Sequence, residues 1–386
     1  MTLRSFVCAA LLAILVAPSH AETKPKRAKN VILFLADAGG IPSLNAASWL
    51  AYQAPQQLHV QAWPHVGLSD TSPARGFVAD SASGMSAIVT GVKTHNGVIS
   101  QGPEAVRGKK DGPATKSILE YAEEHGLKTG VVTDQPITDA TPAACYAHSN
   151  DRGKWGEIFP QAFNPRFGDG VDVLLGAGRQ PIEKQLQAAG SSLEALATQY
   201  KRPIYATLEE ATAARMRPIV VADQMDVHGA TLRALDELQK SDKGFFLMVE
   251  WDAHTNDPKP GLERLIAFDK LVAEVEKRVN LDDTLLLFTA DHSFGLRTRG
   301  EGNGGSILEG YDEWKASGVK DQPIRLKTIL VDDAHTGEEV AAIASGPGSE
   351  RVNGFFPNTQ LFHIMMNAFG WKSDSAPAPV PTSAKQ

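Results

Sequence analysis

Residues 30–40 read NVILFLADAGG. Val31 to Ala36 is an unbroken apolar run, the pattern of a strand buried on both faces of a parallel sheet. The run stops on Asp37, with Gly39 and Gly40 close behind. Two later runs repeat the plan: residues 244–250 (GFFLMVE) lead into Trp251-Asp252-Ala253-His254, and residues 284–289 (TLLLFT) lead to Asp291-His292. Lys128 to Thr133 reads as a further strand. Helices are expected over 115–125, 227–240, 261–279 and 358–369, and short strands over 328–331 and 340–345. Strands alternating with helices predict an α/β fold, a three-layer αβα sandwich around a central, mostly parallel β-sheet.

The chain has 386 residues, 42% hydrophobic and 22% charged, which suits a globular protein with an ample core. A formal charge of -7 argues against nucleic acid as a specific partner, because phosphate backbones reward clustered Lys and Arg. Arg4, the apolar stretch from Phe6 to Val16 and Ser19-His20-Ala21 together predict a secretory signal peptide over residues 1–21. That stretch is too short to span a bilayer, so no stable membrane insertion is expected, and the mature chain is expected to be periplasmic or secreted. Residues 22–29 read as a flexible lead-in, 30–372 as the folded domain and 373–386 as a disordered tail. Residues 153–220 read as an elaboration on the main sheet, and 297–325 as a polar loop excursion. Cys145 is the one cysteine beyond the signal peptide, so no intrachain disulfide can form there.

Ligands of open α/β sheets gather at the carboxyl ends of strands. Asp37, the Glu250/Asp252/His254 group and Asp291-His292 all occupy such ends, and His335 follows on a later loop. Any one of them reads equally well as a cap or turn residue. Jointly, carboxylates with imidazoles fit zinc, and a carboxylate–hydroxyl–water set fits magnesium. Glu250, Asp252 and His254 are spaced by two, so an extended backbone projects all three to one side. In residues 78–100 (VADSASGMSAIVTGVKTHNGVIS), Ser81 stands where a run of small residues begins a helix. It is either an ordinary N-cap or a hydroxyl set at an anion-attracting helix terminus. Trp251, beside these residues, is a candidate for the pocket rim.

The segments NVILFLADAGG, ADSASGMSAIVTGVKTHNG, DATPAACYAHSNDR, TADHS and HTGEEV with the downstream NTQLFHIM resemble the bacterial alkaline phosphatases over most of residues 30–370. The resemblance implies a phosphoric monoester hydrolase with two zinc ions and one magnesium ion, and a phosphoserine intermediate on Ser81. It implies that Arg152 grips two phosphate oxygens, a bidentate task suited to a guanidinium. It further implies that Asp37, Asp291 and His292 bind the zinc nearest the serine, and that His335 binds the outer zinc. Asp139, Thr141 and Glu250 are expected at the magnesium.

Two departures stand out. Residues 37–40 read Asp-Ala-Gly-Gly where the family has Asp-Gly-Met-Gly. The family also separates its magnesium glutamate from an aspartate by five residues and places a histidine four further on, whereas Glu250, Asp252 and His254 fall within five positions. The match of residues 254–257 to the family's tail assigns Asp252 and His254 to the outer zinc. The interval from Glu250 to His254 equally allows Glu250 itself at that zinc. Small phosphate monoesters are the expected partners, and a homodimer is left open. A phosphodiesterase, a sulfatase or a non-catalytic phosphate-binding protein are the competing readings.

Overall fold

The computed structural model describes residues 27–211, 217–300, 305–319 and 323–373. The expected signal peptide, residues 22–26 of the lead-in, and the tail after Ser373 lie outside them. In chain order the strands are β1 (Asn30–Asp37), β2 (His65–Asp70), β3 (Lys128–Pro136), β4 (Val173–Ala177), β5 (Ile204–Tyr205), β6 (Ile219–Val221) and β7 (Phe245–Asp252). They continue as β8 (Thr284–Thr289), β9 (Ser293–Thr298), β10 (Ile324–Arg325), β11 (Ile329–Thr336), β12 (Val340–Ser345) and β13 (Gly354–Pro357).

Ten of these form one sheet in the order β13-β2-β12-β8-β1-β7-β3-β4-β6-β5. From β8 to β5 all neighbours run parallel, while β12 is antiparallel to both β8 and β2. β1 lies near the middle because its side chains are apolar on both faces. Val31, Leu33 and Leu35 enter one core, with residues of helices Ser81–Thr90, Ile118–Glu124, Ala140–Tyr146 and Thr359–Phe369. Ile32, Phe34 and Ala36 enter the other, with residues of helices Ile41–Tyr52, Val227–Leu238 and Pro258–Arg278. The two helical layers with the sheet between them are the expected three-layer sandwich.

Residues 153–220 supply β4, β5 and β6, which lengthen the sheet along one edge. Three local expectations change. The stretch expected as a loop excursion carries the helix Tyr311–Ser317, and its ends belong to β9 and β10. His335 lies not on a loop but on β11, just past a bulge between Asp332 and His335 in its pairing with β9. β2 and β13, both absent from the sequence reading, pair with each other at the sheet edge. Such edges are wetted on one side, so their sequences (HVGLSD and GFFP) lack a continuous apolar run.

Candidate active site

β8, β1, β7 and β3 are consecutive in the sheet, so their carboxyl ends share one edge. Asp37 sits directly opposite Asp252 in the β1–β7 register, and Asp291-His292 follows β8 by two residues. Asp37, Asp291 and His292 consequently bring ligand atoms within 4.8 Å of one another, all buried. Asp37 Oδ1 and Asp291 Oδ2 accept no hydrogen bond. Burial, then the neighbouring Asp291 charge, pushes the Asp37 carboxyl well above its usual range. Burial also pulls the His292 imidazole down to about 4, which keeps it neutral and able to donate a lone pair.

The Ser81 hydroxyl faces this group, with Oγ 3.4 Å from Asp37 Oδ2 and 3.3 Å from His292 Nε2. Ser81 is not the helix cap. That task falls to Asp80, whose carboxylate accepts the Ser83 N–H at 3.0 Å and leaves the serine hydroxyl uncommitted to the helix end. The helix can lie this close because residue 84 is glycine. A Cβ there would stand 2.5 Å from the Asp291 carbonyl oxygen.

Asp80 has a second task, shared with Asp139. Its Oδ2 accepts Arg152 Nη1 at 3.2 Å, and Arg152 Nη2 donates to both Asp139 oxygens at 3.1 Å. Burial lowers the guanidinium's proton affinity, but the two carboxylates outweigh it and hold the charge in place. The cation so held lines the same cleft as Ser81.

The outer part is built around His254 and His335, whose Nε2 atoms stand 3.4 Å apart. His254, His292 and His335 form a second group with ligand atoms within 4.8 Å of one another. His335 Nδ1 is turned back to the Ala79 carbonyl at 3.1 Å, so Nε2 is the nitrogen facing the group. Asp252 belongs to neither group. Its Oδ1 lies 2.7 Å from His254 Nδ1 and its Oδ2 meets Arg264. Burial opposes charge on His254, yet the Asp252 bond and the Asp37 charge raise its pKa to about 9.

Glu250 lies deeper and is fully buried. Thr133 donates to its Oε2 at 2.5 Å, while Oε1 accepts no hydrogen bond. Burial, then the charge of Asp37, pushes its carboxyl far up. The buried Thr141 hydroxyl, two residues after Asp139 on the chain, also has no hydrogen-bond partner. Trp251 points away from all of this, as strand alternation requires, and packs edge-on against Phe268 in the opposite core. It is not part of the pocket rim.

A cleft of about 310 Å³ opens onto Ser81 and Arg152 together with Asp37, Asp139, Asp252, His254 and His335. Thr141, Glu250, Asp291 and His292 lie buried behind it. Clefts of about 520 and 720 Å³, both lined in part by helix Ile41–Tyr52, contain no such cluster of acids and imidazoles. Sequence reasoning missed Asp80, Thr133, Gln135, Asn256 and Arg264. Asp80 had a readable signal, since Asp directly before a helix is a favoured cap. Gln135 and Asn256 line the cleft with no motif to mark them.

The description "Alkaline phosphatase" belongs to the family model that matches residues 28–205 and 226–324. Alkaline phosphatase 4 of Drosophila melanogaster is 27% identical, with 90% of this chain and 77% of that protein covered. The human tissue-nonspecific isozyme is 26% identical, with 88% and 83% covered. Among solved structures, a His-to-Asp variant of TAB5 alkaline phosphatase, with Mg bound in its M3 site, is 25% identical and superposes with a TM-score of 0.72 over 90% of this chain and all of that one. The Thermus thermophilus enzyme shares the fold, with a TM-score of 0.74 at 22% identity over 94% of this chain and 96% of that one. Among the described residues no helix is long and apolar enough to cross a membrane. The chain belongs to the alkaline phosphatase family, enzymes that hydrolyse phosphate monoesters with the aid of metal ions.

Proposed function

We propose that Ser81 is the nucleophile of this phosphatase and that its turnover passes through a phosphoserine. The observation that carries the reading is the Ser81 hydroxyl lying 3.4 Å from Asp37 and 3.3 Å from His292 at the head of a buried helix. The donors around it fit divalent cations. Asp37 Oδ1, Asp291 Oδ2, Glu250 Oε1 and Thr141 Oγ1 are buried oxygens without hydrogen bonds, an arrangement that is costly unless a cation takes them up. Asp37, Asp291 and His292 are assigned to an inner zinc, and His254 and His335 to an outer zinc, with Asp252 holding the far nitrogen of His254 in place of the ligand role expected for it. Glu250, Thr141 and Asp139 are assigned to magnesium. When bound, these ions supply charge neutralisation and a lowered pKa for coordinated hydroxyl groups.

The chain's own residues do the rest. Ser81 Oγ forms a bond to phosphorus as the ester P–O bond breaks and the alcohol departs. Water then cleaves the phosphoserine, returning the hydroxyl and releasing inorganic phosphate. Arg152 binds two non-bridging oxygens through both arms of its guanidinium, already pointed by Asp80 and Asp139. The free N–H groups at the start of helix Ser81–Thr90 face the same anion. Export to the periplasm or medium is part of this reading, supported by the leader-like residues 1–21.

The test is hydrolysis of p-nitrophenyl phosphate at alkaline pH by protein supplied with zinc and magnesium. Ser81→Ala is expected to lower kcat by at least ~10³-fold, and 32P-labelled substrate is expected to label the wild type but not the variant. A Ser81→Ala enzyme with wild-type turnover overturns the assignment. Faster cleavage of bis-p-nitrophenyl phosphate than of the monoester would make the enzyme a diesterase.

A further inference from the structure

The shortened Glu250–His254 segment poses a mechanical problem. β7 ends at Asp252, and only two residues later His254 must present its ring to His335 across the cleft. Such an unsupported turn would swing freely, yet its polar groups are nearly all engaged. The Asp252 N–H donates to Asp134 Oδ1 at 3.1 Å, and the Ala253 N–H donates to the Asp37 carbonyl at 2.9 Å. The remaining groups converge on one side chain. Arg264 Nε donates to the Asp252 carbonyl at 2.6 Å, and its Nη2 donates both to Asp252 Oδ2 at 2.8 Å and to the His254 carbonyl at 3.2 Å.

A second observation points to the same helix, Pro258–Arg278. Gly261 stands one turn before Arg264, on the same face. A methyl group there would overlap the His254 carbonyl oxygen and crowd Thr255 Cα. The glycine lets the turn rest on the helix, and the arginine three residues on ties it down.

We propose that Arg264 is the positioning residue that lets the shortened segment serve the outer metal, acting through Asp252 on the His254 ring. With Oδ2 fixed by the guanidinium, Asp252 Oδ1 is free to hold both the His254 N–H at 3.0 Å and the ring Nδ1 at 2.7 Å. That leaves His254 Nε2 facing His335 Nε2. Carboxylates that hold the far nitrogen of a metal-binding histidine fix both its tautomer and its ring plane. Here the holding carboxylate is itself held. The inference rests on the assignment of His254 to the outer zinc.

The experiment strips metal from the wild type, Arg264→Met, Arg264→Lys and His254→Ala, and titrates zinc back against a chromophoric chelator. Arg264→Met is expected to bind one zinc about 10–100-fold more weakly while the other is held as in the wild type. Arg264→Lys is expected to recover part of the loss, since an ammonium can reach Oδ2 but cannot also hold two carbonyls. A purely structural arginine would lower Tm and leave the zinc affinity of the folded protein unchanged, and that result overturns the proposal. If Arg264→Met does not fold, Arg264→Lys and Gly261→Ala carry the same titration with the same two outcomes. His254→Ala separates the layers of the argument. Wild-type zinc binding by that variant would remove the outer-zinc assignment itself. Loss in His254→Ala without loss in Arg264→Met would remove only the clamp.

Discussion

At the scale of single residues, the site depends on side chains held by other side chains. Arg152 shows this most directly, because Asp80 and Asp139 occupy the two arms of its fork. Arg152→Lys would keep the positive charge but lose the planar pair of donors, and a ~1–3 kcal/mol loss follows for a charge-assisted bidentate contact. The expected outcome is a ~10–100-fold lower kcat/KM, with a matching rise in the inhibition constant for inorganic phosphate. Equal phosphate inhibition in the two enzymes would show that Arg152 does not grip the anion. Away from the site, Glu123 poses a different question. Its Oε2 accepts the Asp169 and Gly170 N–H groups and its Oε1 accepts the Thr129 hydroxyl, yet burial raises its pKa to about 8. The folded state therefore holds a proton that the unfolded chain releases near 4.5. The stability it contributes is full below pH 4.5 and drains away as pH climbs toward 8. Glu123→Gln, uncharged throughout, should flatten that decline, so its Tm should gain on the wild type between pH 5 and pH 9. Parallel Tm curves for the two proteins would refute the account.

At the scale of elements, the helix Ser81–Thr90 and the β8 end are one assembly. Gly84 is where they touch, and a Cβ there would lie 2.5 Å from the Asp291 carbonyl and 3.1 Å from Asp291 Cβ. Gly84→Ala should improve helix propensity by ~1 kcal/mol and still damage the enzyme, because backbone of one element must retreat from the other. The expected result is unchanged far-UV circular dichroism with kcat at least ~10-fold lower, and an active Gly84→Ala enzyme would sink this view of the packing. The same distinction explains what could be read beforehand. β1, β7 and β8 were legible as apolar runs because strands buried on both faces leave no ambiguity of period. The meeting of Asp37 with Asp291 and His292 then followed from adjacency at one sheet edge. β2, β13 and the strand character of His335 were not legible, because edge and bulged strands mix polar with apolar residues. Arg264 was invisible for another reason. Its meaning lies in a contact across 10 to 12 residues of chain with a turn whose own conformation no propensity specifies.

At the scale of the molecule, the fold gathers acid at one edge and leaves part of it unsatisfied. Asp37, Asp291 and Glu250 each hold a buried oxygen without a hydrogen bond, and the free cysteine Cys145 is buried with no disulfide partner among the described residues. Under the proposed metal assignment, cohesion at this end of the sheet depends on cations, in contrast to the apolar cores on either side. Ions present at ~1,000 times their dissociation constant would contribute ~4 kcal/mol to folding through one site alone. Removing them with a chelator should lower Tm by about 5–10 °C, and returning zinc and magnesium should restore it. Asp291→Asn gives the control. It removes one buried charge and one ligand together, so its metal-free form should be relieved of repulsion while its response to zinc shrinks. A chelated wild type that melts at the holoenzyme's temperature would mean that these carboxylates are neutralised by protons alone, and the metal assignment at the inner group would fall with it.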